Sequence, residues 1–484
     1  MPPPSTAYPH TYPPPPSPHP PTYTPFAVRP LPALSPLPLP PPSLLPSLPS
    51  PPRPSSFPGY KLTTHLTPSA RPRASPTATK PLLRPPYPPT QASASKEQRQ
   101  KDVGELLLNM RKQRAAVCSL PSWVDDPQEP EPQLWNCLHR YLRTSPHSSQ
   151  GEGVTLLLAH ANGFPKEIWQ PVLSYLFSLY SGIDEVWLWE SVNHGDSSLI
   201  NASHLGDTFD WADNARDVLQ FLTFHRPPSG SEAPLHLPPH PAEPPRRVIG
   251  IGHSLGGGTL TRAALAKPEL FDALILVDPV IIAEHAWNRR GSEMARYDAL
   301  VLGALARRSV WGSKEEAKRG FLKSPFFKVW NPEALEAYVE YGLAPVPPSA
   351  SARDPPAGSA DACALPSASA STGVMLKQSP YDEASIFSEP RAQAETWYLL
   401  PLLPERIELR WIMNGKTSAE ATGGEERTRW TVWRRRGNSS NVRVREAGHL
   451  VAQEAPERLA EEIAQVLVRR YGKDGTGRGK KARL

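Results

Sequence analysis

The chain has 484 residues, 63 of them proline, and a formal net charge of +6 from 53 basic and 47 acidic side chains. Three scattered cysteines (Cys118, Cys137, Cys363) argue against a disulfide framework or a zinc site, and no run of 18 apolar residues is present to span a bilayer. The basic excess lies in an acid-free N-terminal stretch and in "GKDGTGRGKKARL" at the C-terminus, which argues against a nucleic-acid-binding face.

Taken in chain order, residues 1–95 hold 33 prolines and no acidic residue. Proline removes backbone donors and fixes φ, so this segment is expected to be a disordered, polyproline-like tail, without the amphipathic helix of a transit peptide. No signal-peptide pattern opens the chain, and a reducing intracellular compartment is expected, with the sequons at Asn201 and Asn438 unused. The alternation of aliphatic runs and helical stretches begins near residue 100. Val154–Ala159 reads as a buried strand, and "KEIWQPVLSYLFSLYSG" as a helix with Trp169, Leu173, Leu176 and Tyr180 on one face. "DEVWLWESVNHGDSS" gives a strand and a polar loop. A helix opens near Thr208 and Asp210, and a proline-rich loop follows from Arg226 to Arg247. "RRVIGIG" and "DALILVDPV" are buried-type strands, as are "PERIELRWIMNG" and "SSNVRVREAGHL". "APERLAEEIAQVLVRRYG" closes the pattern as a helix with Pro456 in its first turn and Gly472 past its end. The basic-aromatic "RWTVWRRRG" (Arg429–Gly437) is read as the cover of a helix or loop. Short aliphatic strands separated by helices imply an α/β fold with a mostly parallel, doubly wound sheet.

The stretch Val248–Gly258, "VIGIGHSLGGG", lacks the third glycine of a dinucleotide loop and the lysine of a phosphate-binding loop. It fits G-x-S-x-G, between a strand and a helix, so Ser254 is the candidate nucleophile on a sharp turn crowded enough to demand glycine neighbours. A serine hydroxyl needs an imidazole to accept its proton, and His449 stands after the last strand. The acid is left among three residues. Asp278 ends the strand after the elbow strand, whereas the usual seat past the penultimate strand holds Ser418, with Glu420 and Glu425 beyond it. The oxyanion needs two backbone donors: Leu255 N–H, which follows from the elbow, and either Asn162 or Phe164 in "HANGF". His160 is read as structural, and His194 as a turn residue and pocket candidate.

"AHANGFPKEIWQPVLSYL", "ESVNHGDSSLIN", "GIGHSLGGG", "LVDPV" and "AGHLVAQEAPE" together resemble the α/β-hydrolase fold. More narrowly they resemble the fungal peroxisomal hydrolases, a family that includes a yeast peroxisomal lipase and hydrolases of toxin biosynthesis. The resemblance covers about 100–345 and 373–471, and it implies esterase or lipase chemistry with Ser254 and His449 in the site. The expected organisation is a tail (1–95) and a first core part (96–280), then a helical cap after the sixth strand (281–395) with a disordered insert at about 345–373. A second core part (396–472) and a basic tail (473–484) complete it.

Residues 281–345 show no strand signal and are rich in Trp287, Trp311, Phe321, Phe326, Phe327 and Trp330. Most of these are expected to pack the cap onto the sheet, and the rest, with Trp287 as a candidate, to line an apolar pocket. The expected function is hydrolysis of an apolar ester or thioester, with no cofactor and no metal. Acyl transfer or cyclisation on the same residues, and a non-catalytic binding protein, are the alternatives. Ala482-Arg483-Leu484 is a variant of the S-K-L signal, so the peroxisomal import receptor is the expected partner and the peroxisome, rather than the cytoplasm, the expected location.

Overall fold

The computed structural model describes residues 11–15, 28–89, 95–119, 131–145, 153–228, 230–240, 247–283, 292–347, 373–416 and 424–472. In chain order the strands are β1 (Tyr60–Pro68), β2 (Trp135–Arg143), β3 (Val154–Ala159), β4 (Ile183–Trp189), β5 (Val248–His253) and β6 (Phe271–Val277). They continue with β7 (Val310–Trp311), β8 (Leu343–Pro345), β9 (Val374–Leu376), β10 (Glu408–Asn414) and β11 (Ser439–Val444). Eight of them form one sheet in the order β1-β2-β4-β3-β5-β6-β10-β11. From β4 to β11 every pairing is parallel, while β2 runs antiparallel to both β1 and β4.

The aliphatic runs follow from burial on both faces. Leu156 and Leu158 of β3 join one apolar cluster with the helices Gln170–Leu179 and Pro456–Tyr471. Leu157 and Ala159, alternating with them, join a second cluster with the helices Trp211–Gln220 and Leu255–Ala266. This is the doubly wound arrangement expected from the sequence. Among the described residues no helix is long and apolar enough to cross a membrane.

The reading of 1–95 as a tail without structure is corrected over residues 28–89. Tyr60–Pro68, "YKLTTHLTP", is a proline-poor island, and it pairs along its whole length with β2 as the edge strand of the sheet. Its proline sits at the strand end, where the lost donor costs least. The other edge of β1 is partly covered, since Leu66 N–H donates to Leu235 O and Leu237 N–H to Leu66 O. The remaining prolines do not exclude order, because side chains anchor the segment. Arg29 reaches Asp210 at 2.6 Å and Glu395 at 2.9 Å, Arg73 reaches Asp217 at 2.6 Å, and Arg84 grips both oxygens of Asp382 at 2.5 and 2.7 Å.

The cap follows β6, the sixth strand. Its helices are Ser292–Ala306, Lys314–Phe321, Pro325–Lys328, Pro332–Tyr341, Pro380–Phe387 and Arg391–Leu399. Three begin Ser-Pro, Asn-Pro and Ser-Pro: Ser324, Asn331 and Ser379 accept from Phe326, Glu333 and Asp382 N–H, with proline at the first helical position. Against expectation the cap also holds a sheet, β7-β9-β8. Strands of two and three residues are too short to show a period of two. The disordered insert expected at about 345–373 falls, from residue 348 to 372, outside the described residues.

The cap aromatics pack on one another. Trp311 and Phe321 lie 5.2 Å apart between ring centroids, Phe321 and Phe327 4.7 Å, and Phe327 and Trp330 4.9 Å. Phe164, below, meets Trp330 at 5.4 Å and Tyr338 at 5.7 Å. These rings therefore clamp the cap to the loop after β3.

Candidate active site

Ser254 stands between β5 and the helix Leu255–Ala266 with φ +53° and ψ −112°, a left-handed conformation that non-glycine residues rarely adopt. Close approach imposes the surrounding glycines. A Cβ on Gly256 would meet Ala159 O at 2.2 Å, and one on Gly252 would meet the Gly256 backbone at 2.5 Å. The serine backbone is pinned from both sides, its N–H donating to Val277 O at 3.0 Å while its carbonyl accepts from Gly258 and Val280 N–H at 3.2 Å each. Its side chain makes no cap hydrogen bond to the helix, which leaves the hydroxyl for another partner.

That partner is His449, 195 residues downstream, whose Nε2 lies 3.0 Å from Ser254 Oγ. His449 Nδ1 lies 2.6 Å from Asp278 Oδ2. A carboxylate oxygen only accepts, so Nδ1 carries the proton and Nε2 is left to accept from the serine hydroxyl. Asp278 is fully buried and Ser254 is 6% exposed, whereas the His449 side chain keeps 27% of its surface. Asp278 also has a positive φ, +38°, and Asn414 donates to its carboxylate from the end of β10, at 3.1 Å from N–H and at 3.0 and 3.1 Å from Nδ2. Among the described residues, Asp278 is the acid candidate brought to His449. Glu425 opens the helix Glu425–Val432, 42% exposed and 3.9 Å from Arg443, while Glu420 and Ser418 lie outside the described residues.

His253, next to the serine, points the other way. Its Nε2 donates to His449 O at 2.8 Å, and burial pushes its imidazole down to about 3, so it stays neutral and holds the loop that carries His449.

The loop after β3 lies against the elbow, for Gly256 N–H donates to His160 O at 3.1 Å. Leu255, at the first helical position, has an amide with no intrahelical acceptor. In the loop Gly163 (φ +94°) donates to His194 Nε2 at 3.3 Å, and the Asn162 side chain donates to Glu383 O at 3.0 Å. His160 receives Ser191 N–H at 3.2 Å and is pushed down to about 4 by burial, in keeping with a structural role. His194, read as a turn residue and pocket candidate, is fully buried at the N-cap of the helix Gly195–Ile200 and engaged by Gly163, Gln378 and Asn193. Trp287 and Ala482-Arg483-Leu484 lie outside the described residues.

Beneath the same loop sits a buried charge cluster that sequence reasoning missed. Lys166, fully buried, reaches Asp196 at 3.1 Å, Glu190 at 3.2 Å and Glu167 at 3.4 Å. Asp196 also holds Lys377 of the cap at 2.5 Å and Ser50 at 2.9 Å. The cluster thus ties the N-terminal segment, the core and the cap together. Its one sequence signal is the charge of "FPKE" and "WLWE" inside otherwise apolar runs.

Comparisons with known proteins place the fold in a family. The model of the Alpha/beta hydrolase family matches residues 156–462, more than half of the chain. The chain is 30% identical over 170 residues to a Type I acyl-CoA thioesterase, mpaH, of Penicillium brevicompactum, covering 35% of each chain. It is 36% identical over 137 residues to Peroxisomal membrane protein LPX1 of Saccharomyces cerevisiae, covering 28% of this chain and 32% of that one. The aligned segments therefore span about a third of the length of these relatives. A crystal structure of the yeast peroxisomal alpha-beta-hydrolase Lpx1 superposes with a TM-score of 0.58 at 18% identity, over 88% of this chain and 93% of that one, which shows a shared fold. The chain belongs to the alpha/beta hydrolase family.

Proposed function

We propose that the chain is a serine hydrolase that cleaves an ester or thioester of an apolar acyl group. The observation that carries the reading is the continuous hydrogen-bonded run Ser254–His449–Asp278, with the serine strained at the tip of the elbow. In this mechanism Ser254 Oγ attacks the carbonyl carbon while His449 Nε2 takes its proton. Asp278 fixes the imidazole by its Nδ1–H and stabilises the imidazolium. Leu255 N–H, with the amide of Asn162 or Phe164, receives the oxyanion. The imidazolium then protonates the departing alcohol or thiol, and a water activated by His449 releases the acid and regenerates the serine. A relative named an acyl-CoA thioesterase supports the thioester branch, and the clamped aromatic cap above the loop supports an apolar acyl group.

A peroxisomal location is part of the proposal, supported by a relative named a peroxisomal membrane protein. The test of the chemistry is hydrolysis of p-nitrophenyl esters and of acyl-CoA thioesters by the wild type, Ser254→Ala and Asp278→Asn. Ser254→Ala is expected to abolish turnover, and Asp278→Asn to lower kcat by on the order of 10³- to 10⁴-fold. Equal turnover by wild type and Ser254→Ala would overturn the reading.

A further inference from the structure

We propose that Asn414 is a positioning residue that aims the Asp278 carboxylate at His449; the inference rests on the serine-hydrolase reading above. Asp278 leaves the end of β6 in a left-handed conformation, and its carboxylate must be held in one rotamer to face His449. The neighbouring strand supplies the hold. β10 runs parallel to β6 with Ile412 opposite Val277, and Ile412 O accepts Asp278 N–H at 2.9 Å. Two residues on, Asn414 N–H donates to Oδ1 at 3.1 Å, and Asn414 Nδ2 donates to Oδ1 at 3.0 Å and to Oδ2 at 3.1 Å. Both carboxylate oxygens are therefore addressed by one amide group, which fixes rotation about the Cβ–Cγ bond and leaves Oδ2 directed at His449 Nδ1, 2.6 Å away. Asn414 is itself 6% exposed, so water does not compete for these donors.

Asparagine is chemically apt here. Its NH₂ supplies two donors to a group that only accepts, at the strand end where a second carboxylate would repel the first. Asn414 touches no reacting atom in this arrangement. It acts through Asp278, and then through the tautomer and orientation of His449.

The test compares wild type with Asn414→Ala and Asn414→Asp in the intact chain, using a fluorophosphonate probe and one-dimensional proton NMR. In the wild type the short Nδ1–H···Oδ2 contact is expected to give a far-downfield proton resonance. Asn414→Ala is expected to lose or shift that resonance and to be labelled about 10-fold or more slowly at saturating probe, with the half-saturating concentration unchanged. Asn414→Asp keeps the side-chain shape, so it reads the effect even if the alanine variant folds poorly. It is expected to label about 10-fold or more slowly at pH 8, where two facing carboxylates repel. A wild-type resonance and wild-type labelling rates in both variants would overturn the inference while leaving the serine-hydrolase reading intact. Absence of labelling in the folded wild type would overturn both.

Discussion

Lys166→Met is the perturbation that most directly probes how the site is held. The ammonium is fully buried and lies within 3.4 Å of three carboxylates, Asp196, Glu190 and Glu167. Methionine fills much the same volume but leaves the anions behind. Asp196 keeps Lys377 at 2.5 Å and the Ser50 hydroxyl, so its charge remains compensated. Glu190 keeps the hydrogen bonds from Ser197 N–H at 3.0 Å and Lys166 N–H at 3.1 Å, but loses its cation. Removing one partner of a buried pair costs about 3–5 kcal/mol, because the other charge is left uncompensated. The cost has a pH signature. Burial already pushes the Glu190 carboxyl up to about 7 with the lysine present, and losing the lysine raises it further. A carboxyl raised above its unfolded value of about 4.5 loses stability as pH rises between the two, so the penalty is larger at pH 8 than at pH 5.5. Urea unfolding of both proteins at the two pH values measures it. A penalty of about 3–5 kcal/mol at pH 8, smaller by at least about 1 kcal/mol at pH 5.5, is expected. A difference below about 1 kcal/mol, equal at both pH values, would show that Lys166 does not compensate the Glu190 charge.

Three further outcomes follow. His65 on β1 is buried and pushed down to about 4 by that burial, so between about 6.5 and 4 the unfolded chain binds a proton the folded one does not, and the folded state loses stability as pH falls. His65→Gln should flatten the pH dependence of unfolding in that window by up to about 1.4 kcal/mol per pH unit, and an unchanged slope would show that β1 does not bury it. Within residues 28–89 only Lys61 and Arg73 are basic residues not followed by proline. Lys61 lies in β1 and Arg73 is buried against Asp217, so brief trypsin treatment should spare both. Rapid cleavage at either would contradict the ordered N-terminal segment. Arg84→Ala, which strips Asp382 of a pair 9% and 4% exposed, should cost about 3 kcal/mol in unfolding; a loss under about 0.5 kcal/mol would place the Arg84 contact outside the fold's stabilising interactions.

The sheet core and the elbow were legible because burial on both faces writes itself as aliphatic runs, as in Val154–Ala159, and because Gly252 and Gly256 leave no room for any other residue. Pro456 and Gly472 marked the last helix for the same local reasons. What was not legible depends on partners far apart in the chain. Proline density hid β1, whose order comes from pairing with β2 and from anchors such as Arg29 on Glu395, 366 residues away. β7, β8 and β9 are too short to show a period. In the site, Ser254 and His449 stood out by motif and place, whereas choosing Asp278 over the glutamates needed the adjacency of β6 and β10. Asn414 carried no motif. Its signal is a polar residue ending an apolar strand, and its meaning appears only beside Asp278.

The serine-hydrolase reading requires Ser254 to be an activated nucleophile. Incubation of the folded chain with a fluorophosphonate, followed by peptide mass spectrometry, tests it most directly, because only an activated serine displaces the fluoride at a useful rate. One phosphonyl adduct on the peptide carrying Ser254, absent in Ser254→Ala and formed far more slowly in His449→Ala, is expected. A folded protein that takes no label, or takes it on another residue with Ser254 unmodified, would contradict it.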